Sequence, residues 1–407
     1  MKEICIINYA SNAAVYGIGT YLKEYVHCLS NIGCKVIRVE LGTDSRKKEF
    51  YIKEEKGVKI IHIPYLHTDN VDVYNKSVCR MLRLYLKDSS DLVFHFHYLQ
   101  SSSLLKGLKQ CFPLSKSILT IHYLYWSAKF NGNISAYEDI LKRKKHKFIQ
   151  RKYRDVFDNY LLEKDFMHSV DRVICLSEDT YQLLIGLYKV APDRLFLIPN
   201  GLATHKLFVS AERRNTVRQQ YHITENEKII LFVGRINRIK GLEPLLAAFS
   251  RVIKMYPMCR LVMVGDGDIA GMLKKIPNIV TRITFTGKQD KKSLYQWYCM
   301  ADIAVFPSYY EECSYVGIEM LMHGLPVIAS DGYAVKNMFN SHNALIASIG
   351  SWNEATSFSL ELSDEILTLL QSDELLIKKK KESLKSYKMT YHSKYMQKKY
   401  AGLLATF

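Results

Sequence analysis

Short apolar runs alternate with helically spaced apolar positions along most of the chain. Lys2 to Asn8 is a run of the length and composition of a buried strand. After Tyr16-Gly17-Ile18-Gly19-Thr20, apolar residues Tyr21, Leu22, Tyr25, Val26 and Leu29 recur at helical spacing up to Gly33, and Lys35 to Glu40 is apolar again. Strand, helix and strand in that order predict a right-handed crossover and a parallel sheet. Further strands are predicted at Val58–Ile63, Leu92–His97, Ile118–His122, Arg172–Leu176 and Leu195–Asn200, with a helix over Val73–Leu86. The second half repeats the alternation. Strands are predicted at Lys228–Val233, Leu261–Val264, Ile283–Phe285, Ile303–Phe306 and Val327–Ser330. Helices are predicted from Leu242 to Val252, Tyr295 to Ala301, Ser314 to His323 and Tyr391 to Leu404. The pattern is that of an α/β protein with two parallel sheets.

Length and charge narrow this picture. At 407 residues the chain suits two domains, each with its own core. The N-terminal MKEICIINYA reads as a first strand, not a secretory leader, and no apolar run reaches the ~18–20 residues of a membrane span. Nine scattered cysteines without C-x-x-C spacing point to reduced thiols and a cytoplasmic protein. The formal charge of +17 calls for an acidic partner. Much of the excess lies in Lys142 to Arg154, KRKKHKFIQRKYR, where Phe148, Ile149 and Tyr153 add apolar contacts suited to an anionic membrane surface. A solvated charged face is the plainer alternative. No zinc-finger, helix-turn-helix or RNA-binding aromatic pattern accompanies the run, so nucleic acid is not the expected partner.

The candidate chemistry is concentrated in Phe306 to Asp331, FPSYYEECSYVGIEMLMHGLPVIASD. Ser314 is the expected N-cap of the helix, which would aim the amides of Tyr315, Val316 and Gly317 at an anion. Glu311 and Glu319 flank that site. Carboxylates repel phosphate but accept bonds from hydroxyls on either side of one, as a nucleotide sugar provides. Upstream, Gly234 permits a tight turn after a strand, and Arg235 and Lys240 offer a planar fork and a compact charge suited to a diphosphate. Gly17 and Gly19 would let backbone approach a ligand at the first strand's carboxyl end, though they lack the third glycine of a dinucleotide site. His95 and His97 share one strand face without a carboxylate or cysteine to complete a metal set. His122 ends a strand, where open α/β sheets place ligand residues.

Taken together, these motifs resemble the retaining GT-B glycosyltransferases of family four. Pro307-Ser308, Glu311, seven residues, Glu319, then Gly324-Leu325-Pro326-Val327 follow that family's signature, and Gly234-Arg235…Lys240-Gly241 is similar to its pyrophosphate element. The family's Gly-Phe-Gly after the first glutamate is here Glu312-Cys313-Ser314. The family's histidine is often followed by aspartate, whereas Tyr123 follows His122.

The resemblance implies two Rossmann-like domains facing a central cleft. Residues 1–202, ending in Pro199-Asn200-Gly201, would be the acceptor side and 203–385 the nucleotide-sugar side, with 386–407 a helix packing back on the first domain. It implies retaining transfer from a nucleotide-diphosphate sugar to a glycan, lipid-linked or peptide acceptor, in bacterial surface polysaccharide or glycoconjugate synthesis. Arg235, Lys240 and the helix N-terminus would stabilise the leaving diphosphate. Glu319 would take the ribose hydroxyls, Glu311 the sugar hydroxyls, Gly287 would lie near the base, and His122 would steady the sugar. The turn at Gly17 and Gly19 would face the donor phosphates and the acceptor. No cofactor and no metal is expected, because the Asp266-Gly267-Asp268 turn resembles one that needs no divalent ion. The leaving phosphate itself would accept the acceptor's proton. Two other readings stay open: a nucleotide-sugar binding module without turnover, and an anionic-surface or nucleic-acid binding protein.

Overall fold

A computed structural model describes residues 1–9, 17–42, 49–64, 70–99, 102–143, 146–204, 210–268, 270–271, 274, 277–350 and 355–407. The chain divides into two compact units. The first comprises Met1–Tyr125, Glu138–Gly201 and Ser393–Phe407, the second Trp126–Tyr137 and Leu202–His392.

In the first unit, β1 (Glu3–Tyr9), β2 (Lys35–Leu41), β3 (Tyr51–Glu55), β4 (Val58–Ile63), β5 (Leu92–Phe96), β6 (Lys116–Thr120), β7 (Arg172–Cys175) and β8 (Leu195–Leu197) form one sheet. Its order is β3-β4-β2-β1-β5-β6-β7-β8. All neighbours are parallel except β3, which runs antiparallel to β4. Helices can cover both faces of such a sheet, so its strands are apolar throughout, and Ile4, Cys5, Ile6, Ile37 and Val39 are fully buried. β3 escaped the apolar pattern because its residues YIKEE are largely solvent-facing at the sheet edge. The strand order reverses at β1, between β2 and β5, which makes the carboxyl ends of β1 and β5 the switch point. The helix Gly17–Asn31 follows β1, and the C-terminal helix Ser393–Leu404 packs against it within this unit.

The second unit carries β9 (Lys228–Val233), β10 (Cys259–Val264), β11 (Ile283–Gly287), β12 (Ile303–Phe306), β13 (Val327–Ser330) and β14 (Ala344–Ala347), all parallel, in the order β11-β10-β9-β12-β13-β14. Its switch point is between β9 and β12. The helices Leu242–Met255 and Ala355–Leu370 pack together, burying Leu245, Phe249, Val252, Phe358, Leu362 and Ile366.

The divisions at 202/203 and 385/386 fall instead at 201/202 and 392/393, and residues 126–137 belong to the second unit. Hydrogen bonds account for the shift at the C-terminal end. Leu202 N donates to Tyr391 O at 2.9 Å, and the Tyr387 hydroxyl donates to Leu202 O at 2.9 Å, keeping 387–391 with the second unit. Aromatic packing accounts for 126–137. Trp126 meets the rings of Tyr310 and Tyr333 edge-on at 5.4 and 4.9 Å.

Candidate active site

Turns at the carboxyl ends of β9, β10 and β11 in the second unit are backbone against backbone. Gly234 N donates to Val264 O, Gly265 N to Gly287 O (both 3.0 Å) and Ile236 N to Asp266 O at 2.7 Å. A Cβ on Gly265 would stand 1.8 Å from Gly234 O, so only glycine permits this approach. Gly241 has φ of +66°, and a Cβ there would lie 1.9 Å from Pro307 O. The loop after β9 is thereby pressed against the loop after β12, and Tyr309 N donates to Ile239 O at 2.9 Å to join them. Sequence alone placed Arg235, Lys240 and Glu311 on two loops; the fold sets those loops side by side at the switch point.

Lys240 and Glu311 form an ion pair there, with both side chains mostly buried (16% and 11% exposed). Arg235 is exposed on the same loop. Glu311 is held from behind, since its amide donates to Tyr333 O at 3.1 Å. Its neighbour Glu312 turns inward and accepts the Tyr310 hydroxyl. Tyr310 in turn stacks on Tyr333 at 5.4 Å. Gly287, at the end of edge strand β11, belongs to the same continuous set of turns through its carbonyl. The Asp268 carboxylate accepts Gly271 N at 2.9 Å and so serves its own turn.

The helix Tyr315–His323 starts after Ser314 and ends at Gly324 (φ +67°), as expected. Two details differ. The Ser314 hydroxyl makes no capping bond; its amide donates to Met338 Sδ at 3.1 Å, and the first turn carries no side-chain cap. Gly317 is required by packing, because a Cβ would stand 2.8 Å from Met338 Cε and 3.2 Å from the Phe339 ring. Glu319 is the larger surprise. It is only 3% exposed, one oxygen paired with Lys291 and the other accepting the Tyr298 hydroxyl at 2.9 Å. Burial raises its pKa, with Lys291 opposing. A ribose hydroxyl would have to share this buried carboxylate with those partners.

In the first unit, Gly17 and Gly19 occupy the first turn of their helix, not the turn before it, and a Cβ on Gly17 would meet nothing within 4 Å. Tyr16 lies outside the described residues. His122 stands two residues beyond β6. Its Nε2 is 3.2 Å from His97 Nδ1, and Tyr21 packs edge-on to its ring at 4.5 Å. Burial pushes the His122 pKa down to about 3, and His95 and His97 are held well below the ordinary value for the same reason. The segment after His122 is anchored by Glu163, 3% exposed, which accepts Tyr125 N at 2.7 Å and the Tyr188 hydroxyl at 2.6 Å. Burial pushes that carboxyl up to about 7.

Lys144 and Lys145 of the basic run lie outside the described residues. Lys147–Lys152 forms a short helix with Lys147, Phe148, Arg151 and Lys152 exposed, Phe148 at 65%. Among the described residues no helix is long and apolar enough to cross a membrane, and all nine cysteines are free. Sequence reasoning missed Lys291, Tyr298, Glu163 and Trp126. Lys291 and Glu163 sit in charged, helical surroundings that give no local sign of their long-range partners. Trp126, four residues past His122, carried a signal: a lone large aromatic near a candidate site.

Two parallel Rossmann-like sheets, with a cation, carboxylates and an uncapped helix start at the second switch point, are the elements of a GT-B fold. Residues 15–206 match the family described as Glycosyltransferase Family 4, and residues 227–371 match Glycosyl transferases group 1. The chain belongs to these group 1, GT-B glycosyltransferases. Sucrose-phosphate synthase from Thermosynechococcus elongatus shares the fold with a TM-score of 0.76 at 20% identity, over 100% of this chain and 99% of that one. The Anabaena protein HepE, solved in complex with UDP-glucose, shares it with a TM-score of 0.68 at 14% identity, over 100% of both chains. Alpha-monoglucosyldiacylglycerol synthase of Streptococcus pneumoniae is 31% identical over 185 residues, 44% of this chain and 42% of that protein. The matches span about two fifths of the length of such curated relatives.

Proposed function

We propose that the protein is a retaining glycosyltransferase that moves a sugar from a nucleoside-diphosphate sugar to a glycan, lipid-linked or peptide acceptor, without a metal. The observation that carries this reading is the Lys240–Glu311 pair at the β9/β12 switch point, beside exposed Arg235 and a helix start without a side-chain cap. Cation and carboxylate hold each other. A bound donor would divide them, its diphosphate taking Lys240 and Arg235 and a sugar hydroxyl taking Glu311. Charge growing on the leaving diphosphate would then meet donors already in place, which lowers the barrier to departure. His122, neutral over the working pH range, would contribute a hydrogen bond and no charge. The amides of Tyr315, Val316 and Gly317 would serve as anion donors, and Gly287 would adjoin the base.

The exposed cations of Lys147–Lys152, with Phe148 among them, support reversible docking on an anionic membrane, where a lipid-linked acceptor would be found. The name of the glucosyldiacylglycerol synthase among the relatives is consistent with such an acceptor. A second reading, nucleotide-sugar binding without turnover, is favoured by one observation: Glu312-Cys313-Ser314 stands where the family has Gly-Phe-Gly. A panel of labelled nucleotide sugars, beginning with UDP-glucose, decides between them. Hydrolysis or transfer that survives EDTA supports the enzyme. Binding without release of nucleotide favours the second reading, and loss with EDTA restored by magnesium or manganese returns Asp266 and Asp268 to consideration as metal ligands.

A further inference from the structure

His122 does not stand alone at the end of β6; it ends a row of neutral rings inside the first unit. His95 is fixed at both nitrogens, Nδ1 lying 2.6 Å from the Tyr25 hydroxyl and Nε2 2.8 Å from Thr120 Oγ1. The His97 ring lies 4.2 Å from that of His95, with Tyr21 and Tyr25 edge-on at 5.2 and 5.8 Å, and is 1% exposed. Rings packed this closely have one orientation each. His97 Nδ1 then meets His122 Nε2 at 3.2 Å, while His97 Nε2 is buried with no hydrogen-bond partner among the described residues.

A neutral imidazole has one N–H and one lone pair. A hydrogen bond between two neutral imidazoles couples their tautomers, and because a buried N–H without a partner is the costlier orphan, His97 Nε2 keeps the lone pair, His97 Nδ1 donates and the His122 proton is assigned to Nδ1. It also withdraws Nε2 of His122 from any ligand and leaves Nδ1 as the nitrogen to offer.

We propose that His97 is the positioning residue of His122, holding its ring in one orientation and one tautomer so that Nδ1 is presented to the ligand. The functional consequence rests on the reading of His122 as a donor-sugar residue. The tautomer lock does not, and it is measured separately.

The experiment uses the full chain labelled with 15N-histidine, with the His122 ring signals assigned by their loss in His122→Gln. Long-range proton–nitrogen spectra report which nitrogen of His122 carries the proton. Wild type should show one tautomer, and His97→Phe should show the mixture of a free imidazole. His97→Asn, whose side-chain amide stands near the former Nδ1, should restore the single tautomer, whereas His97→Gln, which reproduces the Nε2 end, should not. Donor turnover should fall on the order of a hundredfold in His97→Phe, through kcat with KM little changed, and recover in His97→Asn.

Equal tautomer populations in wild type and His97→Phe would overturn the proposal, as would rescue by Gln equal to that by Asn. Should His97→Phe fail to fold, the Asn and Gln variants carry the decision between themselves. A lock seen in the spectra while His122→Gln turns over donor normally would leave the positioning intact and remove His122 from the catalytic reading.

Discussion

Around β9 and β12 the second unit sets acidic and basic groups against each other, with Lys240 against Glu311 and Lys291 against Glu319. Around β5 and β6 the first unit keeps its polar groups neutral. His95, His97 and His122 are all uncharged and share bonds with Tyr25, Thr120 and each other. Both are ways of burying polarity, but they leave different things to a ligand. A charged pair can be opened by a ligand that brings its own anion and hydroxyls, so that little charge is left uncompensated. A neutral network has no charge to exchange; it offers a shaped surface with a fixed pattern of donors and acceptors. The proposed division of labour follows, with the second unit taking the diphosphate and the first reading the sugar.

The comparison breaks most severely if the charge is removed. Arg235→Ala with Lys240→Ala should abolish transfer while leaving the fold intact, with some loss of thermal stability because mostly buried Glu311 loses its partner. Losing charge-assisted bonds of roughly 1.5–3 kcal/mol each predicts a fall in kcat/KM on the order of a thousandfold. Turnover near the wild-type rate in steady-state assays would end the assignment of these two residues.

The inner pair should show itself in stability. Lys291→Met leaves the Glu319 carboxylate buried with only Tyr298 to serve it. Breaking a wholly buried pair costs roughly 3–5 kcal/mol; Lys291 is half exposed, so about 2 kcal/mol is expected. Adding Glu319→Gln should recover most of that loss. Urea denaturation of the single and double variants checks this, and an unchanged midpoint in Lys291→Met would mean that solvent screens the pair fully.

Acid should separate the two strategies. The histidines have folded pKa values below their ordinary ~6.5, so the unfolded chain takes up protons first. Their contribution is complete above about pH 6.5 and is lost on acidification, by up to about 1.4 kcal/mol per pH unit for each group. Glu163, pushed up to about 7, acts in the opposite sense: its contribution is complete below its ordinary ~4.3 and is lost as pH rises toward 7. Glu163→Gln should therefore steepen the loss of stability between pH 7.5 and 5.5, read from urea midpoints at the two values. A slope equal to wild type would show that Glu163 is ionised throughout.

Most of the strands were legible because a parallel strand buried on both faces must be apolar, as LVFHF and KIILFV are. The exceptions obey other demands. β3 is an edge strand whose YIKEE serves solvent, and β14, also at a sheet edge, is only half buried. In the candidate site, the spacing of Arg235, Lys240, Glu311 and Glu319 is visible in one dimension, but their partners are not. Lys291 reaches Glu319 across 28 residues and Glu163 reaches Tyr125 across 38, and no local pattern encodes either contact. Ser314 shows a different gap. Its position at the helix start was readable, whereas the choice of its amide to meet Met338 depends on a residue 24 positions away.

The last effect concerns charge that neither unit buries and touches neither fold nor donor chemistry. Lys147, Arg151 and Lys152 are exposed on one short helix with Phe148, and nothing in the neutral or paired networks uses them. Near an anionic membrane each such cation is attracted by about 1 kcal/mol, and the attraction fades within a Debye length of ~8 Å at physiological salt. Changing Lys147, Arg151 and Lys152 to Gln should weaken sedimentation with anionic liposomes at low salt by about 3 kcal/mol in total, since these exposed contributions are close to additive. Binding of the unmodified protein should also vanish at high salt. Donor hydrolysis should be untouched, because the paired charges that serve it are in the other unit. Equal binding to neutral and anionic vesicles, or none to either, would make this helix an ordinary solvated face and point to a soluble acceptor.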